Sequence, residues 1–262
     1  MRNVSEATII NIRKGVWESV SDDMWRSIGK QVGVSKKQKM QFVPIVNSAS
    51  LIRLFNDSRE YGNVFSITGA PGSGKTETAK WYAGTEENVA HVECSEYMSK
   101  KDFLRAILTK MGRENAGGSV ADMMELITET FLKLDDPLLI IDEVDKLSES
   151  VLYFIISFYN VLHGKVGMVL LSTDYFSKRM QRGLRNNRKG YAEIFSRIGR
   201  RHVGIRGIDM EDIRMICKAN GVEEDSIIRS IFNESEGDLR RVERLINKSR
   251  LRNDDQPRSK AA

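Results

Sequence analysis

Gly69-Ala70-Pro71-Gly72-Ser73-Gly74-Lys75-Thr76 fits the spacing G-x-x-x-x-G-K-[ST]. Glycines placed this way let the backbone turn several N–H groups into one concave nest that holds phosphate oxygens. Lys75 is then placed to reach the β- and γ-phosphates, and the Thr76 hydroxyl to ligate Mg2+. The flanks agree with that reading. Residues 64–68 (Val-Phe-Ser-Ile-Thr) are β-branched and aromatic and predict a strand. Residues 77–83 predict a helix that starts near Gly74 and turns its positive N-terminal end towards the same phosphates. A glycine-rich turn that binds nothing would not require Lys75 and Thr76 after the last glycine.

A second signal lies downstream. Leu138-Leu139-Ile140-Ile141 runs into Asp142-Glu143. Four apolar residues followed by two carboxylates mark a buried strand that ends at a polar site. Behind a phosphate loop, Asp142 is the candidate Mg2+ carboxylate, and Glu143 is the candidate group for orienting and polarising an attacking water. Residues 89–94 and 166–171 read as further strands, the latter ending in Ser172-Thr173-Asp174. Strand, phosphate loop, helix, strand and helix in succession imply an α/β domain with a parallel sheet.

The remaining helices follow from caps and periodicity. Ile9, Ile10, Val16, Trp17 and Val20 suggest a first helix, and residues 24–32 a second. Ser48 is read as the cap of a helix carrying Leu51, Ile52, Leu54 and Phe55, and Ser99 as the cap of another with Phe103, Ile107 and Leu108. Residues 120–134 are amphipathic. Residues 151–159 are apolar on most sides and read as one buried helix. Asp209 begins a helix that Gly221 ends, Asp225 begins another, and Gly237-Asp238-Leu239-Arg240 starts the last. The division expected is a basic helical arm over 1–41, a nucleotide-binding α/β domain over 42–206, a helical lid over 207–252 and a disordered tail over 253–262.

Composition narrows the function. The chain has 262 residues, 40% of them apolar and 29% charged, as expected of a globular protein. Two cysteines without C-x-x-C spacing and three scattered histidines give neither a disulfide framework nor a metal-ligand pattern. No secretory leader or membrane-length apolar run is evident, so a cytoplasmic protein with no membrane partner is expected. The net charge of +5 is unevenly spread. Residues 175–206 hold ten basic side chains opposed only by Glu193, a local net charge of +9. An acidic polymer is the partner this implies. Candidate contacts are Lys178, Arg179, Arg182, Arg185, Arg188 and Lys189, with Lys100 and Lys101 after the second strand and Lys36 and Lys37 in the arm. Residues 28–37 also resemble the centre of a helix-turn-helix, with Pro44 truncating its second helix; the alternative is a basic arm lying on DNA phosphates or on a neighbour.

Taken in order, these features resemble an AAA+ ATPase: the phosphate loop, Ile-Ile-Asp-Glu, a polar strand end, Ser-Arg before a late strand and Gly-x-x-Arg in a lid. The chain is most similar to the transposition regulators of the MuB and TnsC kind. Gly-Lys-Thr-Glu at 74–77, Ile-Ile-Asp-Glu-x-Asp at 140–145 with Leu147, Phe-Ser-Arg-Ile at 195–198 and Gly-x-Leu-Arg at 237–240 carry that likeness over about residues 42–250. The resemblance implies sheet order 5-1-4-3-2. It implies ATP and Mg2+ at the loop residues 69–76 and at Glu77, with Asp142. Thr173 (or Ser172) would be the first sensor, Arg240 the second, and Arg197 an arginine finger, with Arg200 and Arg201 as competing fingers. It further implies an ATPase that assembles as a homo-oligomer, ring or helical filament, on double-stranded DNA and activates a transposase. A helicase loader of the IstB or DnaC kind, or a nucleotide switch with protein partners alone, are the alternatives.

Overall fold

The computed structural model describes residues 4–17, 20–31, 40–113 and 117–255. By its contacts the chain divides into two units, Met1–Met40 and Gln41–Ala262. In the first unit, α1 (Glu6–Arg13) is capped by the Ser5 hydroxyl, which accepts from the Thr8 N–H at 3.2 Å. It ends before Gly15, whose φ is 77°, so Val16 and Trp17 lie beyond the helix expected to hold them. The second helix, α2, spans Asp22–Gln31. Lys36, Lys37 and most of the helix-turn-helix-like string lie outside the described residues.

The second unit is built on five parallel strands: β1 (Val64–Thr68), β2 (Val89–Glu93), β3 (Leu138–Asp142), β4 (Gly167–Ser172) and β5 (Val203–Gly204). Their order is β2-β3-β4-β1-β5, which is the expected 5-1-4-3-2 read from the other edge. Every residue of β3 and β4 is buried. That is why these two strands are near-continuous apolar runs rather than alternating ones. One face of the sheet packs Ile67, Ile140, Val169 and Leu171 against α3 (Val46–Tyr61) and α4 (Lys75–Thr85). The other packs Val92, Ile141 and Leu170 against a larger cluster. That cluster is supplied by α5 (Lys100–Lys110), α6 (Val120–Phe131), α7 (Glu149–Leu152), α8 (Phe154–Leu162), α9 (Asp174–Arg185) and α10 (Tyr191–Arg197). A helical lid follows, α11 (Met210–Ala219), α12 (Asp225–Ser235) and α13 (Leu239–Asp255).

Three expectations are corrected. The helix before the phosphate loop begins at Val46 after Ile45, so Ser48 lies inside it, buried, and its hydroxyl accepts from Thr78 on α4 at 3.3 Å. The cap comes from far away instead: the buried carboxylate of Asp212 in the lid accepts from the Val46 N–H at 3.4 Å. The apolar run at 151–159 is broken at Tyr153 into α7 and α8. The lid's last helix continues through Asp255, into the stretch expected to be disordered; residues 256–262 lie outside the described ones. No helix among the described residues is long and apolar enough to cross a membrane.

Candidate nucleotide site

β1 and α4 place the phosphate loop between them. Gly72 and Gly74 have φ of 75° and 90°, a left-handed backbone that glycine adopts without penalty. Gly74 is the residue from which α4 starts, so Lys75 is the helix's first residue and Thr76, half-buried, its second. The helix thus begins where the loop's nest ends, with its unpaired N–H groups facing the same space. The Lys75 ammonium spends its three donors locally, on Gly69 O at 2.8 Å, Ala70 O at 3.0 Å and Ser73 Oγ at 3.2 Å. Burial pushes its pKa below the ordinary lysine value. Asp142, Asp145 and Asp174 oppose that shift, and Arg240 adds to it.

Glu77, grouped with the loop by its place in Gly-Lys-Thr-Glu, differs from its neighbours. It is the third residue of α4, and its side chain is exposed, with the carboxylate 3.8 Å from Lys80 Nζ one turn on. A carboxylate repels phosphate and has no proton to donate to it, and this side chain faces solvent. What Glu77 can offer a phosphate is its main-chain N–H in the first turn of the helix. Its negative charge there also complements the helix dipole.

The lid closes on this loop. The Leu239 N–H donates to Gly72 O at 3.0 Å, and the Asp238 carboxylate caps α13 by accepting from the Arg240 N–H at 2.8 Å. A Cβ at Gly72 would overlap the Asp238 side chain, so glycine here serves a close approach as well as a backbone angle. Arg240 is exposed, and its charge is felt at Lys75.

Asp142 ends β3 and is 1% exposed. Its Oδ1 accepts from the Glu143 N–H at 2.8 Å, and its Oδ2 lies 3.3 Å from His91 Nε2 on β2. The β2–β3 register, Glu93 opposite Asp142 and His91 opposite Ile140, puts His91 and Asp142 on one face of the sheet. Glu143 has φ of 55°, and its carboxylate accepts from Lys146 Nζ at 2.6 Å. A 3-10 turn over Val144–Lys146 follows, in which Asp145 faces the end of β4: Thr173 Oγ1 donates to Asp145 Oδ2 at 2.7 Å. Thr173 is also the N-cap of α9, accepting from the Tyr175 N–H at 3.3 Å. Ser172, the alternative to Thr173, is buried and donates to the Ile67 carbonyl at 3.4 Å.

A hydroxyl at Thr76 and a buried carboxylate at Asp142 are hard oxygen donors, the type Mg2+ takes in small number beside phosphate and water. The residues present therefore fit a Mg2+–nucleotide pair. His91 and Lys146 escape a sequence reading, because tertiary register and a local turn bring them to the site. Asp145 is visible in sequence only as the last residue of Ile-Ile-Asp-Glu-x-Asp.

The other predicted residues divide. Arg197 lies against its own chain: Nε and Nη2 donate to Asn160 Oδ1 at 3.2 and 2.9 Å, Nη1 donates to Glu193 O at 3.2 Å, and the guanidinium covers the Tyr159 ring at 5.4 Å. Arg200 and Arg201 are exposed. On α9, Tyr175, Lys178, Arg182 and Arg185 recur at helical spacing along one exposed stripe, and Lys189 is exposed just beyond. Arg179 is turned inward, with Nη1 donating to Leu147 O at 2.7 Å, and Arg188 pairs with Glu149 at 2.6 Å. Arg179 is thus withdrawn from the exposed basic surface, while Arg188 stays exposed with its charge paired. Lys100 and Lys101 stand exposed on the first turn of α5, Lys100 at 6.0 Å from the Phe154 ring.

Five parallel strands in this order, with a glycine-rich loop between β1 and α4, are the P-loop α/β fold of the AAA+ kind. Residues 58–180 match the family model described as an AAA domain. No curated protein matches the chain. Among solved structures, it is similar to Drosophila ORC bound to DNA at 14% identity and TM-score 0.50, over 88% of this chain and 69% of that one. It is similar to NtrX from Brucella abortus in complex with ATP at 13% identity and TM-score 0.52, over 100% of this chain and 63% of that one. RuvB from Thermotoga maritima aligns at 19% identity and TM-score 0.48, over 78% and 61%. The chain thus spans less than two thirds of the NtrX and RuvB chains.

Proposed function

We propose that this protein is an ATP-hydrolysing, DNA-binding oligomer that marks target DNA and activates a transposase, with nucleotide controlling its assembly. One observation carries the DNA part of the reading. The helix whose N-cap is Thr173, bonded to Asp145 beside Asp142 and Glu143, displays Lys178, Arg182 and Arg185 on its outer face. One helix, about 18 Å long, therefore has its N-cap bonded beside the candidate nucleotide site and a basic surface along its outer face. The transposition part rests on the motif set Gly-Lys-Thr-Glu, Ile-Ile-Asp-Glu-x-Asp, Phe-Ser-Arg-Ile and Gly-x-Leu-Arg.

In this reading residues 69–76 cradle the ATP phosphates, with the Glu77 N–H behind them, and Lys75 exchanges its carbonyl partners for phosphate oxygens. Thr76 and Asp142 would hold Mg2+, and the ion would supply positive charge beside the phosphates. Glu143 orients water once it turns from Lys146, and Thr173 keeps the loop beside it in place. Arg197, Arg200 or Arg201 completes a neighbour's site across the assembly interface. Contacts to DNA run to phosphates, because lysine and arginine on a helix face outside a groove position more than they specify.

Duplex affinity measured with ATP from low to moderate salt, on two unrelated sequences, tests this. The logarithmic slope is expected near −0.9 for each phosphate neutralised. It should flatten in the Arg182→Ala, Arg185→Ala double variant while ATP binding persists. Salt-independent affinity, or an unchanged slope in the double variant, removes α9 from the DNA surface. Stimulation of a helicase-loading reaction with no effect on strand transfer would favour the loader alternative.

A further inference from the structure

Arg179 is the one basic residue of α9 that faces the protein rather than solvent. Its Nη1 donates to two main-chain carbonyls of the loop after β3, Leu147 O at 2.7 Å and Asp145 O at 3.3 Å. Its Nε donates to Tyr191 Oη at 3.3 Å. Tyr191 is 1% exposed, its ring fills the space a side chain at Gly183 would need, and its hydroxyl donates to Glu149 Oε1 at 2.9 Å. The loop in question carries Glu143, Asp145 and, further on, Glu149. Helix α9 therefore holds it twice, at the N-cap through Thr173 and one and a half turns later through Arg179.

The charges along the helix give this grip a use. Lys178 and Arg182 stand at i and i+4, Arg179 and Arg182 at i and i+3, as do Arg182 and Arg185, and Asp174 is the helix's only acidic residue. Like charges at this spacing repel one another and weaken the helix by a few tenths of a kcal/mol per pair. A polyanion along the outer face neutralises Lys178, Arg182 and Arg185 and removes that repulsion. Arg179 keeps its inward partners, since carbonyls and a buried tyrosine are out of reach of an external phosphate. The firmer helix then fixes the loop that it grips.

We propose that Arg179 is a positioning residue that couples an anionic polymer on the outer face of α9 to the geometry of the catalytic loop. This rests on the ATPase and DNA-binding reading above, and gives Arg179 a role other than DNA contact. The coupling is a free-energy link between two sites, for which effects of about fivefold or more are ordinary.

The test uses full-length wild type, Arg179→Ala, Arg179→Lys and Tyr191→Phe. Each is assayed for ATP affinity, duplex affinity, thermal midpoint and the ratio of turnover with duplex to turnover without. Wild type should show a ratio of about five or more. Arg179→Ala should bind ATP and duplex like wild type with the ratio fallen towards one. Arg179→Lys, which keeps a donor for Leu147 O but not the planar fork, should fall between. A lowered midpoint with an undiminished ratio would make Arg179 a structural tie only and overturn the proposal. If Arg179→Ala does not fold, the conservative variants decide: a full wild-type ratio in both Arg179→Lys and Tyr191→Phe overturns it. Wild type that binds duplex without any change in turnover overturns the coupling while leaving DNA binding intact. Wild type that binds no duplex overturns the DNA-binding reading itself.

Discussion

The Thr173 hydroxyl donates a 2.7 Å hydrogen bond to Asp145 Oδ2, tying the end of β4 to the loop after β3. The same oxygen caps α9 by accepting from the Tyr175 N–H. One side chain thus ties down both the loop that carries Glu143 and the start of the basic helix. Hydrogen bonds to charged groups contribute about 1.5–3 kcal/mol, and loss of an N-cap costs about 1 kcal/mol. Thr173→Val should therefore lower turnover by roughly tenfold or more and also lower the thermal midpoint. Thr173→Ser, which keeps the hydroxyl, should restore both. Phosphate release and thermal unfolding of the two variants check this; equal turnover in Val and Ser would show that the bond is not used.

Variants of Glu143 and Lys75 are expected to separate binding from chemistry. Glu143→Gln should bind ATP as wild type does and lose hydrolysis, because the amide neither accepts a proton nor polarises water as a carboxylate does. Lys75→Ala should lose ATP binding, since the loop's only buried cation is removed. Nucleotide binding and phosphate release measured side by side separate the two, and normal turnover in Glu143→Gln would end the assignment of Glu143.

Gly72 is where backbone angle and lid contact coincide. An alanine there adopts φ near 75° at a cost of roughly 1–2 kcal/mol, and its Cβ pushes into Asp238. Gly72→Ala should lower both thermal stability and nucleotide affinity as the lid is displaced. Asp238→Ala removes a helix cap worth about 1 kcal/mol. Because the two side chains compete for one space, the double variant should be less destabilised than the sum of the singles. Strict additivity in urea unfolding would show that the lid does not rest on the loop.

The His202 ring lies between β1 and the aromatic rings of Phe176 and Phe195. Its Nδ1 is 2.8 Å from Ser66 Oγ, and its Nε2 is buried without a hydrogen-bond partner among the described residues. Burial lowers its pKa below the ordinary histidine value. The folded state therefore prefers the neutral ring. As pH falls below the unfolded-state value, about 6.5, the unfolded chain takes up a proton that the folded chain does not, and stability drops until the folded ring also protonates. The thermal midpoint should decline with acidification in that window. His202→Phe should flatten this component of the decline, and an identical pH profile in wild type and variant would contradict the assignment.

The turn between β1 and α4 was legible because its left-handed backbone demands glycine at Gly72 and Gly74. Motif membership did not reveal which way a side chain turns, and Glu77 points to Lys80 and solvent although its neighbours line the loop. Strands β3 and β4 were legible because burial on both faces makes them apolar up to their last residues, Asp142 and Ser172. Helix starts were legible where the cap is local. Ser99 accepts from the Asp102 N–H and Asp209 from the Asp212 N–H, while each cap's own N–H is held in return. The start of α3 was not legible, because its cap is Asp212, far along the chain. The inward turn of Arg179 was equally hidden. Its sequence neighbours share its charge, and only the position of the Asp145 and Leu147 carbonyls separates it from them.

Arg197, the residue proposed to complete a neighbour's site, presents the same distinction. Within one chain it is held by Asn160, by the Glu193 carbonyl and by the face of Tyr159. To reach a neighbour's γ-phosphate it must leave them. The cation–ring contact is worth about 0.5–1 kcal/mol at an exposed site, and the bonds to the neutral amide and carbonyl are weaker than those to a phosphate. The exchange is therefore favourable only when a neighbour brings a charged acceptor. An arginine finger in trans is worth roughly 10³-fold or more in rate. Arg197→Ala should bind ATP normally and lose turnover by about that factor. Mixing Arg197→Ala with Lys75→Ala subunits should recover part of the activity. Interfaces that pair an intact Lys75 site with an intact Arg197 from the other subunit form only in the mixture. Asn160→Ala, which loosens the hold on Arg197 within the chain, should leave turnover unchanged or raise it. Full turnover in Arg197→Ala, or no recovery on mixing, would transfer the role to Arg200 or Arg201, and the same mixing experiment on each would then identify it.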